Sequence, residues 1–403
     1  RVNHIPWYDI VLMVLGAGSF FYFAFNALPI IKLATRIQPI HVVIGVIGIL
    51  VLIELCRRCV GIPILCVVGA LVIYAFINQL SYNPDFYQAL KNIIYKLFYT
   101  TSGVIGTPIN VCYTYIVLFI IFGAFLERTG IGNYFIQFAN RLVGAYSGGP
   151  AKVAVVASAL EGMCSGSSVA NTVGSGSITI PLMKKTGYKP EFAAAVEAAA
   201  STGGQIMGAA AFLMAEYMDL PYIQVAVKAI LPAVLYFAGI FITVHLEAKK
   251  LGLKGIPKNE LPKVSYLLKK VYLLLPLVLL IALVSSGART MQFSASVSIL
   301  AAIVVGFLNA EERLTPGKIL EALEAGARGA VTVAVACAMA GIIAGCITVT
   351  GLASILINGI VNLAGNATII GLVLTMLCCI VLGMGVPTTA NYCIMAATCA
   401  PIL

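Results

Sequence analysis

Charged residues are scarce in this chain: they make up 10% of its 403 residues, against about 25% in a soluble globular protein. Apolar residues make up 61%, and so few charges cannot cover a surface that faces water. This composition excludes disordered, collagenous, coiled-coil and nucleic-acid-binding proteins. It predicts an all-α polytopic membrane protein with room for about ten to twelve membrane elements. The net charge of +10 then indicates cytoplasmic loops and contact with lipid headgroups, because Lys and Arg mark the inner side of a membrane.

Signals for catalysis and for a transition metal are also missing. The only Asp residues, Asp9, Asp85 and Asp219, lie at predicted helix ends or loops, which argues against an intramembrane aspartyl protease. The three His residues lie in no metal motif, and the chain has no Gly-x-x-x-x-Gly-Lys-[Ser/Thr] phosphate loop. Cys56 and Cys59 form a lone C-x-x-C, typical of a helix end when no second pair or His is near. We therefore expect neither an enzyme nor an organic cofactor.

The chain opens with three apolar runs and one segment in which aromatic, aliphatic and Lys residues alternate at helical spacing. They cover residues 8–26, 40–56, 60–78 and 86–98. The fourth segment predicts an amphipathic helix at the membrane interface or a short membrane helix. A break follows near residue 103, where we place a domain boundary. Residues 1–102 then form a small helical front module, and residues 103–403 form the main body.

The stretch between Lys152 and Lys184 is apolar but is interrupted by Gly, Ser and Asn residues. Each arm has about 14–16 residues, which is too short to cross a hydrocarbon core of about 30 Å. Lys at both ends places both ends in the cytoplasm. We therefore predict a re-entrant hairpin over residues 149–186, with a polar tip buried in protein or lining a wet cavity. The candidate site residues of this tip are Ser165, Gly166, Ser167, Ser168 and Asn171.

An interrupted helix is predicted next, over residues 190–218. Its break supplies four further candidate residues, namely Ser201, Thr202, Gly203 and Gly204. Glu197 precedes this break by one turn and is a candidate for polar support, because apolar membrane segments rarely carry carboxylates without a reason. The Lys-rich loop over residues 247–270 follows a further crossing and is the strongest cytoplasmic marker in the chain.

An internal repeat relates the two halves of the body. Residues 129–131 match residues 350–352 at an offset of about 221, and residues 168–171 match residues 388–391 at about 220. Counting the crossings predicts that the repeats are inverted, as in many secondary transporters. A second re-entrant hairpin is therefore expected over residues 366–402. Its candidate tip residues are Gly383, Gly385, Val386, Pro387, Thr388, Thr389 and Asn391.

The composition of these breaks suits a cation and an organic anion. A broken helix frees carbonyl oxygens at one end, which suit Na⁺, and N–H groups at the other end, which suit a carboxylate. Hydroxyl and amide groups add ligands without burying a formal charge. Gly and Ser also occur in membrane helices as packing contacts. Three such clusters, two of them related by the repeat, favour a binding site over packing alone.

Four segments resemble the membrane component of tripartite ATP-independent periplasmic (TRAP) transporters. They are SGSSVAN (165–171), ITIPLMKKTGY (178–188), EAAASTGGQIM (197–207) and GMGVPTTANY (383–392). The chain is most similar to the TAXI type, in which the small and large membrane subunits are fused, so that residues 1–102 correspond to the small subunit. One departure is that Met207 runs directly into Gly208, where the family usually has a Pro pair and a few more residues.

The resemblance implies a bacterial inner-membrane importer that is driven by Na⁺ and carries small organic acids of the dicarboxylate type. It also implies a separate periplasmic binding protein of the TAXI type and an elevator mechanism, with a monomer favoured. The family's sodium positions carry over as the first tip with the break at Ser201–Gly204, and as the second tip with a later break. At the repeat offset, that later break would fall near 421–425, beyond Leu403, so the sequence holds half of the second site.

Two other functions are compatible with the residues alone. The first is a stand-alone sodium/dicarboxylate symporter of similar architecture that needs no binding protein, although the front module argues against it. The second is a membrane-embedded enzyme that uses Ser165 or Ser167 as a nucleophile. This second interpretation lacks a credible general base.

Overall fold

The computed structural model describes residues 5–82, 84–164, 168–203, 209–352, 354–355, 368–383 and 388–398. All the regular elements in these ranges are helices. The first nine are α1 Trp7–Leu33, α2 Pro39–Cys59, α3 Ile62–Tyr82, α4 Phe86–Phe98, α5 Thr107–Arg128, α6 Ile131–Val143, α7 Gly149–Cys164, α8 Ser168–Gly174 and α9 Gly176–Thr186. They are followed by α10 Pro190–Thr202, α11 Ala209–Tyr217, α12 Tyr222–Lys250, α13 Val264–Lys269, α14 Leu275–Ser286, α15 Met291–Leu308, α16 Pro316–Thr350, α17 Thr368–Gly383 and α18 Thr388–Thr398.

Seven helices in the described part of the chain are long and apolar enough to cross a membrane. They are α1, α2, α3, α5, α12, α15 and α16. Many of their large apolar side chains point outward, and Phe25 on α1 is 84% exposed. In water such a surface would be unfavourable, whereas lipid tails solvate it. The prediction of an all-helical polytopic membrane protein is therefore confirmed.

The described residues form two compact units. One comprises Arg1–Tyr113 and Val331–Leu403, and the other comprises Thr114–Ala330. The boundary predicted near residue 103, where the apolar pattern breaks, stays a prediction.

Phe98, at the end of α4, occupies the core of the first unit. Its ring lies 5.4 Å from that of Phe20 and 5.0 Å from that of Tyr99, measured between centroids. Gly48 on α2 permits this contact, because a Cβ there would lie 2.4 Å from the Phe98 ring. The Tyr99 hydroxyl donates a hydrogen bond of 2.7 Å to the His41 carbonyl, which ties the end of α4 to α2. The amphipathic helix predicted over residues 86–98 is confirmed and buries its apolar face in this core.

In the second unit, α7, α9, α10 and α12 pack around one small core. Several of its members are small or slender side chains, including Val155, Met183, Ala193 and Val244, all 2% exposed or less, and it also contains the ring of Tyr188. Small residues allow helix backbones to approach closely in a membrane protein. The helices that carry the first candidate tip are therefore held by α10 and α12.

The loop that follows α12 is hydrogen-bonded to the connection between α6 and α7. The Ile256 amide donates to the Gly144 carbonyl at 2.8 Å, and the Ser147 hydroxyl donates to the Leu253 carbonyl at 2.8 Å. Farther along, Lys270 donates a hydrogen bond to Glu311, which holds the pKa of that carboxyl below its usual value.

Two helices extend farther than the apolar pattern predicts. Helix α12 continues to Lys250, four residues into the Lys-rich loop predicted over residues 247–270, and Lys249 and Lys250 lie in its last turn. Cations there interact favourably with the negative end of the helix dipole. Helix α16 begins at Pro316, although the uncharged stretch begins only at Gly329.

The repeat has a structural counterpart. Gly130 and Gly351 are separated by the predicted offset, and both adopt the left-handed conformation, with φ of +81° and +65°. The described parts of α7 and α17, and those of α8 and α18, also lie at corresponding positions in the two halves. These agreements support the repeat. The inverted orientation and the re-entrant course of both hairpins stay predictions.

Candidate functional site

Several candidate residues of the predicted tips and of the predicted helix break lie outside the described residues. They are Ser165, Gly166, Ser167, Gly204, Gly385, Val386 and Pro387. The structure does describe helices that flank the tips. Ser168 lies on α8, Gly383 lies on α17, and both Thr388 and Thr389 lie on α18.

The chain reverses sharply between α9 and α10. Gly187 adopts φ of +110° and its amide donates to the Lys184 carbonyl at 3.1 Å, a geometry that ends a helix and favours glycine. Pro190 then begins α10, where its fixed φ suits the first turn and its missing N–H costs no hydrogen bond. This turn sets α9 and α10 side by side, so that residues on both can reach one point.

That point is the carboxylate of Glu197, which is 0% exposed. Its Oε1 accepts hydrogen bonds from Ser158 at 2.9 Å and from Ser175 at 2.5 Å, and its Oε2 accepts one from Thr179 at 2.5 Å. Ser201, on the same helix as Glu197, places its hydroxyl 3.5 Å from Oε1. We call these five side chains the Glu197 cluster, and each of them is fully buried.

The cluster connects three parts of the chain. Ser158 lies on α7, Ser175 and Thr179 lie at the start of and within α9, and Glu197 and Ser201 lie on α10. Since hydrogen bonds to a charged acceptor are about twice as strong as neutral ones, this carboxylate fixes both arms of the predicted hairpin against α10.

Gly176 lies close to the stem of Glu197. A Cβ at Gly176 would lie 3.0 Å from the Cγ of Glu197 and 3.3 Å from Ile180. A side chain at this position would therefore be in tight contact with Glu197.

Two hydroxyls of the cluster also have a second acceptor. Ser175 lies 2.8 Å from the Asn171 carbonyl, and Thr179 lies 3.0 Å from the Ser175 carbonyl. Each hydroxyl has a single proton, so these acceptors compete for it. The Glu197 cluster is thereby connected to the backbone of residues 171–175, next to the predicted tip.

The break at the end of α10 is described as far as Gly203. Ser201 is buried in the Glu197 cluster, whereas the exposed Thr202 donates to the Ala198 carbonyl at 2.7 Å. A Cβ at Gly203 would lie 2.1 Å from the ring of Tyr236, whose hydroxyl donates to the Ala199 carbonyl at 2.8 Å. Gly203 thus allows an aromatic ring of α12 to pack directly on the break.

The two repeat-related Asn residues differ in their surroundings. Asn171 on α8 is 4% exposed, and its carbonyl accepts the hydrogen bonds of the Ser175 amide and hydroxyl. Asn391 on α18 donates from Nδ2 to the Cys379 carbonyl at 3.2 Å, which connects the two arms of the second predicted hairpin. The side-chain amide of Asn391 therefore lies between the two arms of the second predicted hairpin.

The structure thus brings Glu197, Ser201 and the second arm of the first hairpin together. Sequence reasoning did not single out Ser158 or Thr179, and it treated Ser175 only as part of a polar stretch. The spacing of Ser175 from Thr179, and of Glu197 from Ser201, is i,i+4 in each case, which places each pair on one helix face. This spacing is the feature of the sequence that indicates the members of the Glu197 cluster other than Ser158.

Comparison with known proteins shows which family this chain resembles. Residues 47–403 match the model of the family described as the tripartite ATP-independent periplasmic transporter, DctM component. The C4-dicarboxylate TRAP transporter large permease protein DctM of Pseudomonas aeruginosa is 29% identical over 262 residues, which cover 63% of this chain and 57% of that protein.

Two further relatives are large permease proteins as well. A putative TRAP transporter large permease protein of Haemophilus influenzae is 27% identical over 290 residues, 71% of this chain and 67% of that protein. The sialic acid TRAP transporter large permease protein SiaM of Vibrio cholerae is 27% identical over 191 residues, 47% of this chain and 45% of that protein.

These relatives are transporter permeases, and seven helices of the described chain are suited to cross a membrane. The protein is therefore a multi-pass protein of the inner membrane. Because the family match covers residues 47–403, the chain belongs to the DctM family of tripartite ATP-independent periplasmic transporters.

Proposed function

We propose that this protein imports small organic acids across the inner membrane, coupled to Na⁺, after a periplasmic binding protein delivers the substrate. Membership of the DctM family supports transport, and the names of two relatives, a C4-dicarboxylate and a sialic acid permease, both denote carboxylates. A dicarboxylate-type substrate is the narrower part of the proposal. No organic cofactor takes part, and Na⁺ is the coupling ion.

The observation that carries the proposal is the Glu197 cluster. It holds the break after Ser201 against α7 and α9, the arms of the first predicted hairpin. A sodium site formed by that break and the hairpin tip needs both parts in a fixed register, because Na⁺ binds through several oxygen atoms at once. In this proposal Glu197 acts as a positioning residue, and the ligands come from Ser165–Asn171 and Ser201–Gly204.

The second hairpin contributes in the same way through Gly383–Asn391. There Asn391 connects α17 and α18 as the cluster connects the arms of the first hairpin. Assignment to the TAXI type with fused subunits, an elevator movement of the hairpin-bearing part and a monomeric state belong to the same proposal. They rest on the sequence resemblance.

Uptake by proteoliposomes tests the need for a binding protein. The full chain would be reconstituted and supplied with radiolabelled dicarboxylates, with and without the cognate binding protein, under an inward sodium gradient. We expect uptake only when the binding protein is present. Equal uptake without it would favour the stand-alone symporter, and substrate hydrolysis that persists without sodium would favour the serine enzyme.

A further inference from the structure

A narrow groove runs along the outside of α1 and α2 in the first unit. It has a volume of about 580 Å³ and is lined mainly by apolar side chains. Those that form its walls are Leu12, Met13, Ala17, Phe20, Val51 and Leu55. Its floor is the closest approach of the two helices, where a Cβ at Gly16 would lie 2.9 Å from Val51.

One end of the groove is charged. Arg58 donates to Asp9 at 2.7 Å and to Glu54 at 2.6 Å, and Arg57 donates twice to Glu54 at 2.8 Å. Two guanidinium groups and two carboxylates thus form a network without net charge. The Arg57 and Arg58 side chains remain 57% and 37% exposed, so that donors of both are open to a further partner.

The lining of the groove suits a lipid chain. From Asp9 to Phe20 the helix α1 rises about 16 Å, and the side chains along this length are mainly apolar. Charged groups at one end supply donors and acceptors for a polar headgroup, and the rest of the lining suits an acyl chain.

The length of the groove matches one leaflet of a bilayer. Half of a hydrocarbon core of about 30 Å is about 15 Å, close to the distance from the charged end to Phe20. The charged end lies where α1 begins and α2 ends. A phospholipid of the leaflet on that side would place its headgroup there and its tail in the groove.

We propose that this groove binds one phospholipid with a zwitterionic headgroup. Its phosphate contacts the guanidinium groups of Arg57 and Arg58, its ammonium group contacts Asp9 or Glu54, and one acyl chain follows the groove. The neutral network favours a headgroup that carries both charges over one that is only anionic. The bound lipid thereby joins α1 to α2 in addition to the Arg58–Asp9 ion pair.

Native mass spectrometry of the full chain in detergent tests this site, with palmitoyl-oleoyl phosphatidylethanolamine as the probe. Ala17→Phe fills the groove, and Val14→Phe adds the same side chain at an exposed position of α1 outside the groove. We expect the wild type and Val14→Phe to retain one lipid, and Ala17→Phe to require at least tenfold more lipid for the same occupancy. Arg58→Gln should weaken retention as well.

Three results would overturn the proposal. They are equal retention by Ala17→Phe and Val14→Phe, retention of phosphatidylglycerol as tight as that of phosphatidylethanolamine, and displacement of the lipid by inorganic phosphate alone. Melting temperatures of the variants serve as the folding control. If Arg58→Gln does not fold, the comparison of Ala17→Phe with Val14→Phe still decides.

Discussion

Replacing Glu197 tests the central positioning role directly. Glu197→Ala removes both acceptor oxygens from the cluster, whereas Glu197→Gln keeps the volume and one acceptor oxygen. Glu191→Ala is the matched control, because Glu191 lies on the same helix but is exposed in its first turn. We expect both variants at Glu197 to weaken sodium binding, with Ala more severe than Gln, and the control to behave as the wild type.

The size of the effect follows from the contacts. A hydrogen bond to a charged group contributes about 1.5–3 kcal/mol, and a neutral one contributes about 0.5–1.5 kcal/mol. In Glu197→Ala, Ser175 and Thr179 can turn to the backbone carbonyls 2.8 and 3.0 Å away. Each therefore loses only the difference in free energy between a hydrogen bond to a charged acceptor and one to a neutral acceptor. Ser158 keeps Ser175, at 3.3 Å, as a neighbour. When the lost packing is added, we expect the free energy of unfolding to fall by about 3 kcal/mol in Glu197→Ala and by about 1 kcal/mol in Glu197→Gln.

Two assays separate positioning from simple stability. At about 2–4 °C per kcal/mol for a unit of this size, Glu197→Ala should lower the melting temperature by about 6–12 °C. If the cluster positions the sodium ligands, the sodium concentration for half-maximal uptake should also rise, by about fivefold or more per kcal/mol lost at the site. The stabilisation of the protein by sodium should shrink in parallel, because a bound ion stabilises by mass action.

The reasoning would be refuted by either of two results. A melting temperature and a sodium midpoint equal to those of the wild type in Glu197→Ala would show that the hydroxyl contacts contribute nothing. A lower melting temperature with an unchanged sodium midpoint and unchanged sodium-induced stabilisation would show a purely structural role.

Three further changes have definite expected outcomes. A cysteine at Asn259 should react with impermeant reagents from the cytoplasm only and one at Pro221 from the periplasm only; the opposite labelling would invert the topology. Gly203→Ala should lower the initial uptake rate at least tenfold, because its Cβ would lie 2.1 Å from Tyr236, and Tyr236→Ala in the same chain should restore part of it; no restoration would exclude this clash as the cause. Asn391→Ala should raise the sodium midpoint about 5- to 150-fold, since an unpaired buried partner costs about 1–3 kcal/mol; thermal destabilisation without a sodium effect would assign it to the contact with Cys379.

The apolar pattern predicts most helices because lipid exposure leaves long runs without charge. The segment 86–98 has the predicted bounds, since its helical spacing of apolar residues is strong and Asp85 caps it by accepting from the Tyr87 amide. The pattern does not predict the start of α16 at Pro316. Its first turns carry charged residues, and an apolar pattern therefore assigns them to a loop.

Only part of the candidate site can be predicted from the sequence. Gly, Ser and Asn residues in an apolar stretch, and a carboxylate before a break, are visible in the sequence. Which hydroxyls surround Glu197 depends on how α7, α9 and α10 face one another. Ser158 looks like an ordinary small residue until that packing is known. Tertiary contacts between helices determine this arrangement, and the local periodicity of the sequence does not reveal it.

The most direct test of the account is the initial rate of dicarboxylate uptake by proteoliposomes as a function of the sodium gradient. The full chain and a saturating concentration of its binding protein would be present, and choline would replace sodium to keep ionic strength constant. We predict that uptake requires an inward sodium gradient, rises more steeply than linearly at low sodium and stops when the gradient is dissipated. An uptake rate that is unchanged when choline replaces sodium would contradict sodium coupling.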